Sequence, residues 1–192
     1  MNSQINEAVK VLNRGGIIIF PTDTAFGIGC RVVDEKAIQR LFKIRKRPEF
    51  QAVPILFDSI RKVREYALPF DEKVQKLIND FWPGALTIIL EANINKVPVL
   101  VRGGGETVGV RMPNHPIILD IIKKVGVSIL GPSANLHKGE TPYEFKDLDQ
   151  NLISLVDYVL EGECSVKQAS TVIDCTKTPW GILRQGAIEV KI

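Results

Sequence analysis

Four short stretches of this sequence gather polar side chains where a ligand could be held. The first is PTDTAFG, Pro21 to Gly27, directly after the apolar run Ile17 to Phe20. Proline ends that run. Thr22, Asp23 and Thr24 then present two hydroxyls and a carboxylate at the carboxyl end of a predicted strand, where ligands of open α/β sheets gather. Gly27 and Gly29 permit tight turns there. The second is the basic run Lys43-Ile44-Arg45-Lys46-Arg47-Pro48. Cations suit a helix C-terminus, Pro48 fixes the loop that aims Arg47, and arginine offers a rigid fork that matches phosphate oxygens. The third is Ser133-Ala134-Asn135, set on Gly131-Pro132, where a small turn can bring a hydroxyl and an amide close to a phosphate. The fourth pairs Ser170-Thr171-Val172-Ile173-Asp174 with Leu183-Arg184-Gln185-Gly186, polar residues at strand boundaries. Each stretch alone also fits a capped turn or a solvated helix end, so the chemistry rests on their combination.

Familiar signatures are missing. There is no Gly-x-x-x-x-Gly-Lys-Ser/Thr run, no Gly-x-Ser-x-Gly elbow and no His-Glu-x-x-His. Gly27-Ile28-Gly29 and Gly103-Gly104-Gly105 each start a dinucleotide-like pattern, but Val32 and Val108 stand where its third glycine belongs. Three cysteines (Cys30, Cys164 and Cys175) with no Cys-x-x-Cys pair argue against a disulfide framework or a structural zinc, and read as small core residues. His115 and His137 are too few for a histidine metal centre and read as surface or helix-start residues.

The elements that must position these groups follow from spacing. Ile5, Ala8, Val9 and Leu12 share one helical face, and Gly15-Gly16 stops that helix. Asp34 caps a helix to about Lys43. Val53 to Phe57 reads as a strand, Ser59 to Tyr66 and Asp71 to Asp80 as helices, and Leu86 to Leu90 as a strand. Val108 to Met112 follows the glycine run, Asn114 starts a helix to Lys124 with Pro116 in its first turn, and Val127 to Leu130 is a strand. Residues 136–150 read as loop. Val156 to Leu160, Ser170 to Asp174, Ile182 to Arg184 and Ala187 to Val190 make a strand-rich end. Helices and strands mix without strict alternation, which predicts an α/β fold with a twisted mixed sheet and surrounding helices. The 192 residues, 45% hydrophobic and 24% charged, suit one domain with a real core. No apolar run is long enough to span a bilayer and no secretory leader pattern opens the chain, so a cytoplasmic protein without a membrane partner is expected. Residues 1–66 hold 12 Lys/Arg against 7 Asp/Glu, a basic half that suits nucleotide phosphate or RNA.

In their order along the chain, PTDTAFG, KIRKRP, FWPGALT, VGVRMPNHP, GPSAN, STVID and ILRQGA resemble one family. The sequence is similar to the YrdC-type domains, the threonylcarbamoyl-AMP synthases, from residue 15 to about 188. Residues 1–192 are accordingly read as a single YrdC-like domain, without the additional C-terminal domain that some members carry. The resemblance implies a deep, positively charged cavity in the α/β fold. It implies a nucleotidyltransfer reaction in which L-threonine, bicarbonate and ATP, with Mg2+, give threonylcarbamoyl-adenylate and pyrophosphate. Threonylcarbamoyl-transfer proteins would then modify tRNA.

By the same resemblance Thr24, Arg111, Gly131 and Ser170 would hold threonine. Arg47, Gln51, Thr107, Ser133, Asn135, Thr141 and Arg184 would hold ATP. Arg45, Arg47, Ser133 and Asn135 would carry the catalytic work. Two departures stand out. Arg45 takes the place of a lysine, keeping charge but not lysine's compact geometry. Gln51 and Ala52 stand near a position where lysine or asparagine usually precedes a proline. Two other readings stay open. The fold could bind tRNA or double-stranded RNA without catalysis. It could also act with carbamoyl phosphate, as a related domain does inside longer chains with zinc-finger cysteines.

Overall fold

Ile17 to Phe20 are all fully buried, as a strand covered on both faces requires. The computed structural model, which describes residues 2–190, makes this run β1 (Ile18–Phe20) after helix α1 (Asn2–Asn13). Side-chain alternation divides β1 between two cores. Ile18 and Phe20 pack with Ile5, Ala8 and Leu12 of α1 and with Ile118, Ile121 and Ile122 of α5 (Pro116–Val125). Ile17 and Ile19 join the larger core on the other side.

That larger core gathers the helices α2 (Glu35–Ile44), α3 (Ile60–Tyr66) and α4 (Glu72–Phe81). Asp34 caps α2 through the Ala37 amide, as expected, and Asp71 caps α4 through the Val74 amide. The strands are β2 (Gly27–Gly29), β3 (Ile55–Leu56), β4 (Leu86–Glu91), β5 (Thr107–Arg111), β6 (Ile129–Leu130), β7 (Tyr158–Val159), β8 (Thr171–Asp174) and β9 (Gly181–Arg184), with a short helix α6 (Gln150–Ile153) before β7. They form a three-stranded sheet, β2-β1-β7, and a six-stranded sheet, β6-β3-β5-β4-β8-β9. Parallel and antiparallel pairs mix, as the sequence predicted: β3–β5 and β4–β8 are parallel, β4–β5 and β8–β9 antiparallel.

Gly27 and Gly29 differ from expectation. They form strand β2, not a turn, and stitch the two sheets together. On one side β2 pairs with β1. On the other, the Ile28 amide donates to the Pro132 carbonyl, the Ala134 amide to Phe26 and the Leu130 amide to Cys30. Glycine is needed for closeness: a Cβ at Gly27 would lie 2.7 Å from the Phe20 ring, and one at Gly29 would overlap the Leu130 carbonyl.

Other boundaries shrink or move. The strand expected over Val53 to Phe57 is paired only at Ile55–Leu56, and Val127 to Leu130 only at Ile129–Leu130. The α5 cap is His115, not Asn114. Ala187 to Val190 is not a strand, because the Gly186 and Ile188 amides bond to the Thr171 hydroxyl instead of to a ladder. The loop at 136–150 contains a 3₁₀ turn, Phe145–Asp147, and the first residue of α6.

Gly29→Ala should therefore cost about 3 kcal/mol or more, since the clash is with backbone and nothing flexible can yield. Gly181→Ala, with open space around its Cβ, should stay within about 0.5 kcal/mol of the parent. Urea midpoints of the two variants check the contrast.

Candidate functional site

The alternation of β4, β5 and β8 sets apolar residues on one face of the six-stranded sheet and a mixed row on the other. Leu86, Ile88, Leu90, Val108 and Val110 face the core with Val74, Leu77 and Ile78 of α4. Thr87, Ile89, Gly109, Arg111, Ser170 and Val172 instead floor a cavity of about 310 Å³. Its walls come from the turn after β1 (Thr22, Thr24), the turn after β6 (Gly131, Ser133), the end of α2 (Arg45, Arg47), Thr141 and Arg184. Thr22 and Thr24 thus sit at the carboxyl end of β1 as expected, while the cavity itself spreads over a sheet face.

Among the described residues four arginines line it, and no carboxylate does. Three are held in the same way. Arg45 donates from Nε to the Asn135 carbonyl at 3.0 Å and from Nη2 to Asn135 Oδ1 at 3.1 Å. Arg47 donates from Nε to the Gln51 carbonyl at 3.0 Å and from Nη2 to the Ala52 carbonyl at 2.6 Å. Arg184 donates from Nε to the Ser170 carbonyl at 2.9 Å and from Nη2 to Ser170 Oγ at 3.0 Å. Each clamp occupies one side of the planar fork and leaves Nη1 for something else. In Arg45, which is 3% exposed, Nη1 is buried without a partner. A buried donor without an acceptor is costly, and an anion would relieve it.

Arg111 is held on every nitrogen. Nη2 contacts Asp23 Oδ1 at 2.6 Å, Nη1 donates to Thr24 Oγ1 at 2.8 Å and Nε to the Gly84 carbonyl at 3.0 Å. Five N–H bonds less three leave two for a ligand. Burial lowers the pKa of all four guanidiniums, with Asp23 opposing the shift at Arg111. The Arg45 value falls to about 9, with Arg47 as the second cause.

Local sequence explains the placement. Arg45 is the C-cap of α2, and Lys46 follows at a φ of 51°. That left-handed step turns the chain, so Arg45 and Arg47 line the cavity while Lys43 and Lys46 stay exposed. Thr22 organises its own turn: its hydroxyl donates to the Ala25 carbonyl at 2.7 Å and accepts the Thr24 and Ala25 amides at 3.2 Å each. At Gly131 any side chain would overlap Leu56.

Of the residues expected to bind ligand, the structure brings Thr24, Arg45, Arg47, Arg111, Gly131, Ser133, Thr141, Ser170 and Arg184 to this one cavity. Three expected residues do not line it. Gln51 contributes its carbonyl, as an anchor for Arg47. Asn135 sits behind the wall, accepting from Ser133 Oγ at 2.6 Å and from Arg45, and donating to the Gly139 carbonyl. Thr107 opens β5, on the same face as Gly109 but beyond the wall. Two features of the cavity are not legible in the sequence: Thr87 on its floor and the pairing of Asp23 with Arg111. A lone threonine in an apolar strand, two residues from Ile89, was the available signal. The cysteines are as expected for core residues: Cys30 and Cys164 are buried, Cys175 is half-buried, and burial raises the Cys164 thiol to about 11.

Comparison with known proteins bears on this geometry. Residues 10–186 match the Sua5_yciO_yrdC family model, described as "Telomere recombination". The threonylcarbamoyl-AMP synthase of Bacillus subtilis (strain 168) is 32% identical over 189 residues, which cover 96% of this chain and 54% of that protein. The crystal structure of Pyrococcus abyssi Sua5 complexed with L-threonine superimposes with a TM-score of 0.92 at 32% identity, covering 97% of this chain and 55% of that one. Escherichia coli YciO superimposes at 0.88 with 26% identity, covering 100% and 93%. The chain thus spans about half the length of the first synthases it matches.

The Asp23–Arg111 pair is the one ion pair at the cavity among the described residues, with side chains 4% and 8% exposed. Asp23→Ala should destabilise the protein by about 3–5 kcal/mol, because it strands a buried cation. Asp23→Asn, which keeps an acceptor for Nη2, should cost less. Chemical denaturation of both variants tests the ranking.

Proposed function

The chain belongs to the Sua5/YciO/YrdC family, and on that premise we propose that it is an L-threonylcarbamoyladenylate synthase acting in the cytoplasm. Its substrates are L-threonine, bicarbonate and ATP. Its product feeds proteins that transfer the threonylcarbamoyl group to tRNA. One observation carries the reading: four clamped arginines and the hydroxyls of Thr24, Ser133 and Ser170 meet on a single cavity. No helix among the described residues is long and apolar enough to cross a membrane.

The chemistry suits such a lining. The threonine amine takes up CO₂ derived from bicarbonate and becomes a carbamate. A carbamate oxygen attacks the α-phosphorus of ATP, the bond to the bridging oxygen breaks, and pyrophosphate leaves. No protein nucleophile is needed. The protein holds two anions against each other and meets charge that develops on phosphate oxygens. The two remaining N–H bonds of Arg111 suit the threonine carboxylate. The free Nη1 groups of Arg45, Arg47 and Arg184 suit the triphosphate, and because their clamps exist beforehand little reorganisation accompanies binding. Magnesium belongs to the nucleotide substrate: no carboxylate lines the cavity and no cluster of three metal-ligating side chains occurs among the described residues.

Purified protein with ATP, L-threonine and bicarbonate should yield threonylcarbamoyl-adenylate by mass spectrometry, with pyrophosphate release that requires all three. Arg111→Ala should raise the KM for threonine at least tenfold with the KM for ATP little changed, and Arg47→Ala should abolish pyrophosphate release. Nucleotide binding without turnover would return the chain to the RNA-binding reading.

A further inference from the structure

Thr87 is the one polar residue that β4 turns to the cavity, its other cavity-facing side chain being Ile89. It is 6% exposed, and valine would match its shape and strand preference. Its hydroxyl therefore needs an account. The hydroxyl has one protein partner, Ser170 Oγ at 2.9 Å, and either oxygen can be the donor. Ser170 Oγ also accepts from Arg184 Nη2.

Counting protons settles what the pair can offer. Two hydroxyls hold two protons, and their mutual hydrogen bond uses one. If Ser170 donates to Thr87, the Thr87 proton is left over. If Thr87 donates to Ser170, the Ser170 proton is left over, since Arg184 supplies its own. In either arrangement one O–H remains for whatever fills the cavity, and the two states exchange by rotating hydroxyls without moving a heavy atom. Arg111 lines the same floor on the neighbouring strand β5, and the charge of Arg184 is felt at Arg111.

We infer that Thr87 is a further substrate-binding residue, forming with Ser170 a two-hydroxyl seat that donates one hydrogen bond to an anionic oxygen of the amino-acid substrate. The inference rests on the reading that threonine occupies this end of the cavity. The seat is redundant. Loss of either hydroxyl leaves the other with a proton to give, and loss of both leaves none.

Redundancy gives the test an unusual form. Pyrophosphate release is measured with threonine varied at saturating ATP, and with ATP varied at saturating threonine. Thr87→Val and Ser170→Ala should each lower kcat/KM for threonine about threefold. The double variant should lose about a hundredfold, well beyond the product of the single losses, as expected when a hydrogen bond to a charged group is finally removed. Thr87→Ser should stay within about twofold of the parent, and the KM for ATP should hold in both single Thr87 variants, whereas Ser170→Ala also frees one arm of the Arg184 clamp and is read on threonine alone. The shift in melting temperature produced by L-threonine gives a second readout, absent only in the double variant. A double variant no worse than Ser170→Ala, losses that merely multiply, or losses that fall on ATP in the single Thr87 variants would overturn the seat. If the parent protein itself shows no threonine-dependent pyrophosphate release, the synthase reading fails and takes the seat with it. An active parent with indifferent variants removes only the seat.

Discussion

Four guanidinium groups around about 310 Å³ repel one another and have given up much of their water, and among the described residues only Arg111 has a carboxylate beside it. Such an arrangement is tolerable only if the fold holds the cations in place by other means. Here the means is the peptide backbone. Five carbonyls, of Asn135, Gln51, Ala52, Ser170 and Gly84, accept arginine N–H bonds. Carbonyl dipoles offset part of the desolvation but do not cancel the charge. Four guanidiniums face one carboxylate, so an anion bound there would lower the free energy of the arrangement, and occupancy should stabilise the folded state.

That constraint explains details of the fold that sequence spacing leaves unmotivated. A carbonyl outside a ladder has both of its lone pairs to offer an arginine. The clamping carbonyls lie outside the paired strands: 51–52 before β3, 135 after β6, 170 just before β8, and 84 before β4. β2 shows the converse. Its glycines let three backbones run close together, so the Thr22–Ala25 turn on one side and Ser133 on the other are fixed relative to each other.

Periodicity revealed the elements but not their pairing. Helices α1, α2 and α4 were legible because their apolar spacing and caps are local: Asp34 and Asp71 need only the next turn to act. The strands were legible as apolar runs, yet their paired lengths depend on neighbours far along the chain, so Val53 to Phe57 looked longer than it is. Gly27 and Gly29 were read as turn formers because glycine's freedom is a local property, whereas their use here is nearness to Phe20 and Leu130. The same limit divides the site. Arg45, Arg47, Arg111 and Arg184 could be picked out by type and motif, but nothing local says that Asn135 lies behind Arg45, 90 residues away. The resemblance supplied Asn135 as a ligand contact. In the structure its carbonyl and side chain hold Arg45 and Ser133.

The departure at position 45 gains a physical meaning from that support. A lysine there would be a rotatable point charge. Arginine spends two N–H bonds on the Asn135 carbonyl and amide oxygen, and its third nitrogen is then aimed by the plane of the fork. Asn135 Oδ1 also takes the Ser133 proton, which leaves Ser133 with lone pairs to show the cavity. Through Nδ2 the same amide holds the Gly139 carbonyl, two residues before Thr141. The second departure is milder. Ala52 stands where a proline is usual, and what the cavity uses there is a carbonyl for Arg47, which both residues possess. Both positions therefore keep a clamped guanidinium on the cavity, and at the first of them the fork fixes a direction that a lysine's rotatable ammonium would not.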